Sequence, residues 1–166
     1  MKHETDNEYF KWCVPGILNP VETNQERITN LLREQSKKLD WENIEFLARL
    51  PDIRKFEKNN KNIAINVFDY ELVYLPEECI NQKMTSPYDM SENTHKVDHT
   101  INLLWIKNDK TNHYCYIKNF NRLINSQKSK QRRCRYYCVR CLSGFNREEK
   151  LREHTNLCGK KNPVLI

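Results

Sequence analysis

Glycine is nearly missing from this chain, with three residues among 166. A loop whose backbone N–H groups close around phosphates needs several glycines, so nucleotide chemistry of that kind is excluded. Long apolar runs are missing too: none approaches the ~18–20 residues that span a bilayer. Met1–Glu8 is polar and acidic, unlike a secretory signal, so neither a membrane partner nor export is expected. Internal repeats and low-complexity tracts are not found. A disulfide framework is also lacking, because the seven cysteines are odd in number and Cys13, Cys79, Cys115 and Cys134 are scattered. That usage predicts a reducing compartment, cytosol or nucleus. A 38 % hydrophobic fraction and a mean hydropathy of −0.88 fit a water-soluble chain with a modest core.

The remaining three cysteines form a pattern. Cys138-Val139-Arg140-Cys141 is followed by twelve residues, then His154, three residues, and Cys158. This C-x₂-C-x₁₂-H-x₃-C spacing is that of a ββα zinc finger whose last histidine is a cysteine, and the cofactor it predicts is Zn²⁺. Tyr136, Phe145 and Leu151 stand where such a finger places its small core. Cys138 and Cys141 would grip the metal as hairpin thiolates. A helix is expected over about 147–157, with Asn146 as N-cap and Glu148 and Glu149 at the positive end of its dipole. His154 and Cys158 are four apart, hence on one helix face. So short a module cannot hold itself by apolar burial and folds when its ligands close on the ion.

In such a finger the helix positions that meet bases are Arg147, Lys150 and Glu153. Arginine can pair bidentately with guanine, and lysine can reach guanine or phosphate. A single finger spans only about 3 bp, too little for a specific address. Charge is lopsided: residues 118–161 carry thirteen Lys/Arg against three Asp/Glu, whereas residues 1–117 carry fifteen against nineteen. Lys128, Lys130, Arg132, Arg133 and Arg135 lead into the finger like a phosphate-contacting arm, and Arg140 adds to them. Nucleic acid, DNA in preference to RNA, is the partner this favours, with nuclear residence as a corollary. The alternatives are a solvated basic linker or a finger that binds protein; a reading of a different class is an interaction module that recruits a protein partner through the α+β domain.

Four segments are expected: an α+β domain over residues 1–125, a basic linker over 126–135, the finger over 136–159 and a tail over 160–166. The fold class is therefore α+β, a small mixed helix/antiparallel-sheet domain followed by a ββα finger. Thr23 and Glu26 make a capping box for a helix carrying Ile28, Leu31 and Leu32 to about Lys38. A second helix starts at Leu50-Pro51-Asp52, turns Ile53 and Phe56 inward and ends at Asn59-Asn60. Alternation then predicts a strand at 62–68, a turn at Asp69-Tyr70 and a return over Glu71–Leu75. Residues 76–99 read as a long loop. A hairpin pairs Thr100–Lys107 with His113–Lys118, and a short helix covers Asn119–Asn125.

The strings Asp52-Ile53-Arg54-Lys55-Phe56-Glu57-Lys58-Asn59-Asn60 and Ile63-Ala64-Ile65-Asn66-Val67-Phe68 carry a resemblance, together with Ile101-Asn102-Leu103-Leu104, His113-Tyr114-Cys115-Tyr116-Ile117-Lys118-Asn119 and the Cys138 finger. From about Tyr9 to Cys158 the chain resembles the N-terminal leader of Maverick/Polinton-type B-family DNA polymerases of animal transposons. The resemblance implies a stand-alone or truncated leader. Polymerase activity is not implied, since the chain has neither the length nor the carboxylate motifs for it. The leader is similar to papain- or ovarian-tumour-type cysteine peptidases, in which a helix carries the nucleophile and a strand supplies the histidine. His113-Tyr114 stands where that histidine would. The related leaders read approximately Cys-Phe-Leu-Trp-Ser, whereas this chain reads Tyr9-Phe10-Lys11-Trp12-Cys13, so a tyrosine occupies the nucleophile's position.

No catalytic residue is therefore expected, and Cys13 and His113 remain as weak candidates. Pro15 and Gly16 should break a helix presenting Cys13. Free cysteine usually packs as a small apolar group, which makes a buried Cys13 and a satisfied strand His113 the plain reading. The alternatives are a thiol–imidazole hydrolase or a second metal site drawn from His95, His99, His113 and Cys115.

Overall fold

The computed structural model of the protein describes residues 8–20, 27–46, 48–75, 80–94, 96–107, 112–128 and 136–158. Its elements are α1 (Tyr9–Leu18), α2 (Asn30–Lys37), α3 (Leu50–Asn59), β1 (Ile63–Leu75), β2 (Ile80–Asp89), β3 (His99–Lys107), β4 (Asn112–Tyr116), α4 (Phe120–Lys128), β5 (Tyr136–Tyr137), β6 (Gly144–Phe145) and α5 (Glu148–Cys158). The class is α+β, as expected. The main sheet runs β2-β1-β3-β4, and β5-β6 form a separate two-stranded sheet. Among the described residues no helix is long and apolar enough to cross a membrane.

The sheet is mixed rather than antiparallel, because β1 and β3 pair in parallel from Ile63↔His99 to Asp69↔Trp105. The cause is a strand hidden in the expected loop. β2 occupies residues 80–89 and pairs antiparallel with β1, so the chain must cross back before β3. Its sequence is polar, and Pro87 removes a ladder donor. Both are tolerated at a sheet edge, and Pro87 lies where the register shifts opposite Val67 and Phe68. Asp69-Tyr70 is no turn either: β1 passes straight through it. Asp69 instead accepts the Tyr70 N–H through its own Oδ1 at 2.8 Å, so the turn-forming side chain is satisfied inside a strand.

Two helix expectations also change. α1 continues through Pro15 and Gly16 to Leu18, since Phe10, Val14 and Pro15 are buried and tertiary packing outweighs the lost hydrogen bond. α2 is capped by Thr29, whose Oγ1 accepts the Leu32 N–H at 3.2 Å. The Thr23–Glu26 box lies outside the described residues, and Ile28 and Leu31 are 38 % and 52 % exposed rather than buried. α3 matches its expected span, with Asp52 Oδ2 accepting the Arg49 N–H at 3.0 Å and Ile53 and Phe56 fully buried. Burying each such side chain contributes about 1.5–3 kcal/mol.

β1 feeds two cores because alternate side chains leave opposite faces of a strand. Ile63, Ile65 and Val67 join Ile101, Leu103, Phe10 and Phe56 beneath α1 and α3. Phe68 lies in a second cluster with Ile124 of α4 and with Tyr137 and Leu142 of the C-terminal module. Between them, the fully buried Asn66 accepts from Ser91 N (3.1 Å) and Thr94 Oγ1 (2.6 Å) and donates to Asn102 Oδ1 (3.0 Å). That network fixes the β2–β3 crossover against the sheet. Gln127 does the same for α4, accepting from Thr85 N at 2.9 Å and donating to Thr85 Oγ1 at 2.8 Å. Residues 126–128 thus belong to α4 rather than to a linker.

Candidate metal centre

The C-terminal module is built as its spacing predicts, and then docked. β5 and β6 pair through Tyr136↔Phe145 and Tyr137↔Gly144. The turn between them closes with Cys138 N–H donating to Ser143 O (3.0 Å) and Leu142 N–H to Cys138 O (2.9 Å). Leu142 takes a left-handed φ of 55°, which costs a non-glycine residue roughly 1 kcal/mol. Its burial against Phe68 and Ile124 offsets that cost. Gly144 has a different reason to be glycine: a Cβ there would sit 2.9 Å from the Tyr137 ring.

α5 starts at Glu148, one residue later than expected, so Asn146 stands outside the cap position. Glu148 and Glu149 fall in its first turn, where the dipole favours them. The helix brings His154 and Cys158 to the hairpin thiols. The ligand atoms of Cys138, Cys141, His154 and Cys158 all lie within 4.8 Å of one another. Cys138 Sγ and Cys158 Sγ are 3.9 Å apart, and Cys141 Sγ is 3.2 Å from His154 Nε2. A tetrahedral zinc with bonds of about 2.3 Å to sulfur and about 2.0 Å to nitrogen needs edges of roughly 3.8 Å between sulfurs and 3.5 Å from sulfur to nitrogen. Four ligand atoms at these separations fit one such ion.

Local electrostatics separate the thiols. Burial pushes Cys138 up to about 12 and also raises Cys158. At Cys141 burial acts the same way, but hydrogen bonds from Ser143, His154 and Cys138 outweigh it and hold the thiol at about 7. Three thiolates crowded together repel, and a divalent cation is what lets them ionise together. The Phe145 ring packs 4.9 Å from the His154 ring and steadies it.

Spacing missed the docking. Tyr136, Phe145 and Leu151, the expected core, are only half-buried, whereas Tyr137, Cys138 and Leu142 are buried. Tyr137 N–H donates to Asn121 Oδ1 (2.9 Å), and its hydroxyl donates to Asn125 Oδ1 (3.3 Å) on α4. Arg140 Nη1 reaches Ser91 O at 3.5 Å, tying the metal knuckle to the crossover that Asn66 anchors. The doubled Tyr136-Tyr137, with Val139 and Leu142 alongside, was the available signal that this hairpin has a second apolar face.

The expected nucleic-acid residues scatter. Arg147, just before α5, and Lys150 and Glu153 on it are all exposed. Lys150 Nζ pairs with Glu153 Oε2 at 2.8 Å, and Arg152 with Glu148 at 3.8 Å. Lys128 ends α4, and Lys130, Arg132, Arg133 and Arg135 lie outside the described residues. Cys13 donates its thiol to Tyr114 O at 3.3 Å, and burial first, then Cys115, pushes it up to about 12. It is a packed thiol with a carbonyl partner. The ring that His113 meets is Tyr9, edge-on at 4.6 Å. Of the second-site candidates, His95 lies outside the described residues, and among those described the only cluster of three or more ligands is the Cys138 quartet.

Comparison of the chain with protein-family models, curated proteins and solved structures finds no match.

Proposed function

We propose that this is a non-enzymatic zinc protein that binds nucleic acid, with the finger held as a rigid appendage of the α+β domain. The observation that carries it is the Cys138–Cys141–His154–Cys158 quartet, gathered at separations that suit zinc, on a module that docks by its hairpin and leaves α5 facing outward. Cys138, Cys141, His154 and Cys158 would hold the ion, and the ion would supply structure rather than reaction chemistry. Arg147 has no ion-pair partner among the described residues, while Lys150 and Glu153 are engaged with one another. Contact through α5 is therefore mainly electrostatic, with weak base preference and strong salt dependence. Arg140 contributes at the docking interface, and the segment Lys128–Arg135 supplies phosphate contacts. DNA is preferred over RNA, and residence is nuclear.

The packed thiol of Cys13 supports the non-enzymatic part. The resemblance to a transposon polymerase leader is supported by the Tyr9–His113 contact, since those are the positions of nucleophile and histidine in the peptidase-like scaffold. The test is metal content together with retention of a labelled duplex by the full chain, as purified and as Cys138→Ser. Stoichiometric zinc in the first, none in the second, and duplex binding that falls as salt rises are expected. Binding at low salt by neither form would sink the nucleic-acid reading while leaving the zinc site intact.

A further inference from the structure

A cavity of about 380 Å³ lies between α1, α2 and the outer edge of β4, and shares no residue with the Cys138 quartet. Tyr9 and Trp12 of α1 and Leu31 and Leu32 of α2 give it apolar walls, which Ile28 extends. Ile28 and Leu31 are 38 % and 52 % exposed, so this apolar surface is wet in the free chain. Tyr114, Cys115 and Tyr116 also line it. Three successive residues of a strand send side chains to alternate faces, so the edge of β4 borders the cavity. Its one charged group is Arg27, exposed and with no ion-pair partner among the described residues. No aspartate or glutamate is among the lining residues.

Several polar groups around the cavity are already in use. Tyr114 O accepts the Cys13 thiol at 3.3 Å, and Thr29 Oγ1 accepts the Leu32 N–H at 3.2 Å. Asn19 Nδ2 donates to Pro15 O at 3.4 Å. A peptide main chain laid here would bury its own N–H and C=O groups without enough partners, which is costly. An uncharged apolar molecule would fill the walls and leave the guanidinium unmatched. A carboxylate on an apolar body satisfies both, because arginine takes a carboxylate through two parallel hydrogen bonds. The volume also falls in the range of small-ligand sites. We propose that this cavity binds a small apolar monocarboxylate, its carboxylate on Arg27 and its body against Ile28, Leu31 and Trp12. Zinc and nucleic acid play no part in this site, so it stands or falls apart from them.

The test titrates the full chain with octanoate, octanol and octyltrimethylammonium, read by calorimetry and by the indole N–H resonances. Trp12 is identified by the signal lost in Trp12→Phe. Octanoate should bind saturably, shift the Trp12 indole and leave that of Trp105, which does not line the cavity, in place. Two variants at exposed positions, Arg27→Gln and Leu31→Glu, divide the interaction. Arg27→Gln should weaken octanoate about fivefold and leave octanol within about twofold. Leu31→Glu should weaken both, by crowding the apolar wall and supplying Arg27 with a carboxylate of its own. Wild-type octanoate affinity in Arg27→Gln overturns the proposal, as does an equal loss for octanol. So does a wild-type chain that takes octyltrimethylammonium as tightly as octanoate, or octanoate that leaves the Trp12 indole unmoved. A leucine- and aspartate-containing peptide that binds more tightly than octanoate, and needs Arg27 to do so, would replace the small acid with a protein partner.

Discussion

On one face of the main sheet, twelve buried apolar side chains from α1, α3, β1, β3, β4 and residues 44–48 interlock. On the other, four do, and two of those belong to the module that carries the Cys138 quartet. The second is completed by a hairpin whose own helix, α5, has no fully buried residue. What fixes Tyr137 and Leu142 against Phe68 is a turn closed by its own backbone hydrogen bonds, with Tyr137 bonded to Asn121 and Asn125 of α4. A large apolar cluster organises one face, and a small cluster completed by a hairpin hydrogen-bonded to α4 organises the other, with β1 as the wall between them.

Metal removal should separate the two most sharply. A structural zinc carries on the order of 10 kcal/mol of binding free energy. Chelation, or Cys158→Ser, should leave amides of residues 136–158 unprotected against hydrogen exchange while those of β1 and β3 stay protected. Loss of protection in both would show a single cooperative unit and break the comparison. Phe56→Ala should do the reverse. Truncating that fully buried ring should cost about 3–5 kcal/mol in denaturant melts, yet a cobalt-substituted sample should keep its thiolate charge-transfer bands. Gly144→Ala sharpens the point on the other side. The added methyl meets the Tyr137 ring at 2.9 Å and should cost about 1–3 kcal/mol, read as weaker cobalt affinity with little change in sheet stability.

The smallest effect is on pH. Cys13 titrates at about 12 in the folded chain against 9.0 as a free thiol, so above pH 9 the unfolded form binds fewer protons. Stability should fall as pH rises beyond 9, by about 1.4 kcal/mol per unit. Cys13→Ala should flatten that slope in urea melts of the chelated protein. A slope unchanged by the substitution would place Cys13 in a more solvated setting than the first cluster provides.

The gathering of Cys138, Cys141, His154 and Cys158 was readable because its information is local: four side chains within 21 residues, with a helix spacing that puts two on one face. α3 was readable for the same reason, with proline inside its first turn and asparagines at its end. The sheet order was not. β2 is polar and carries Pro87, and only its place beside β1 makes it a strand. The docking of the finger was hidden for a related reason. Tyr137 and Leu142 complete a surface made by Phe68 and Ile124, and no periodicity within the finger reports on a neighbour so far away in the chain.

Parallel pairing of β1 with β3 has a consequence for the order of events during synthesis. The face of β1 bearing Ile63, Ile65 and Val67 can be covered by α1 and α3, both of which have left the ribosome before it. Phe68 and Leu104 must instead wait for α4 and then for the knuckle at residues 137–142. Through that interval a nascent chain carries a wet apolar patch beside an uncovered strand. Docking of that knuckle is what ends the exposure.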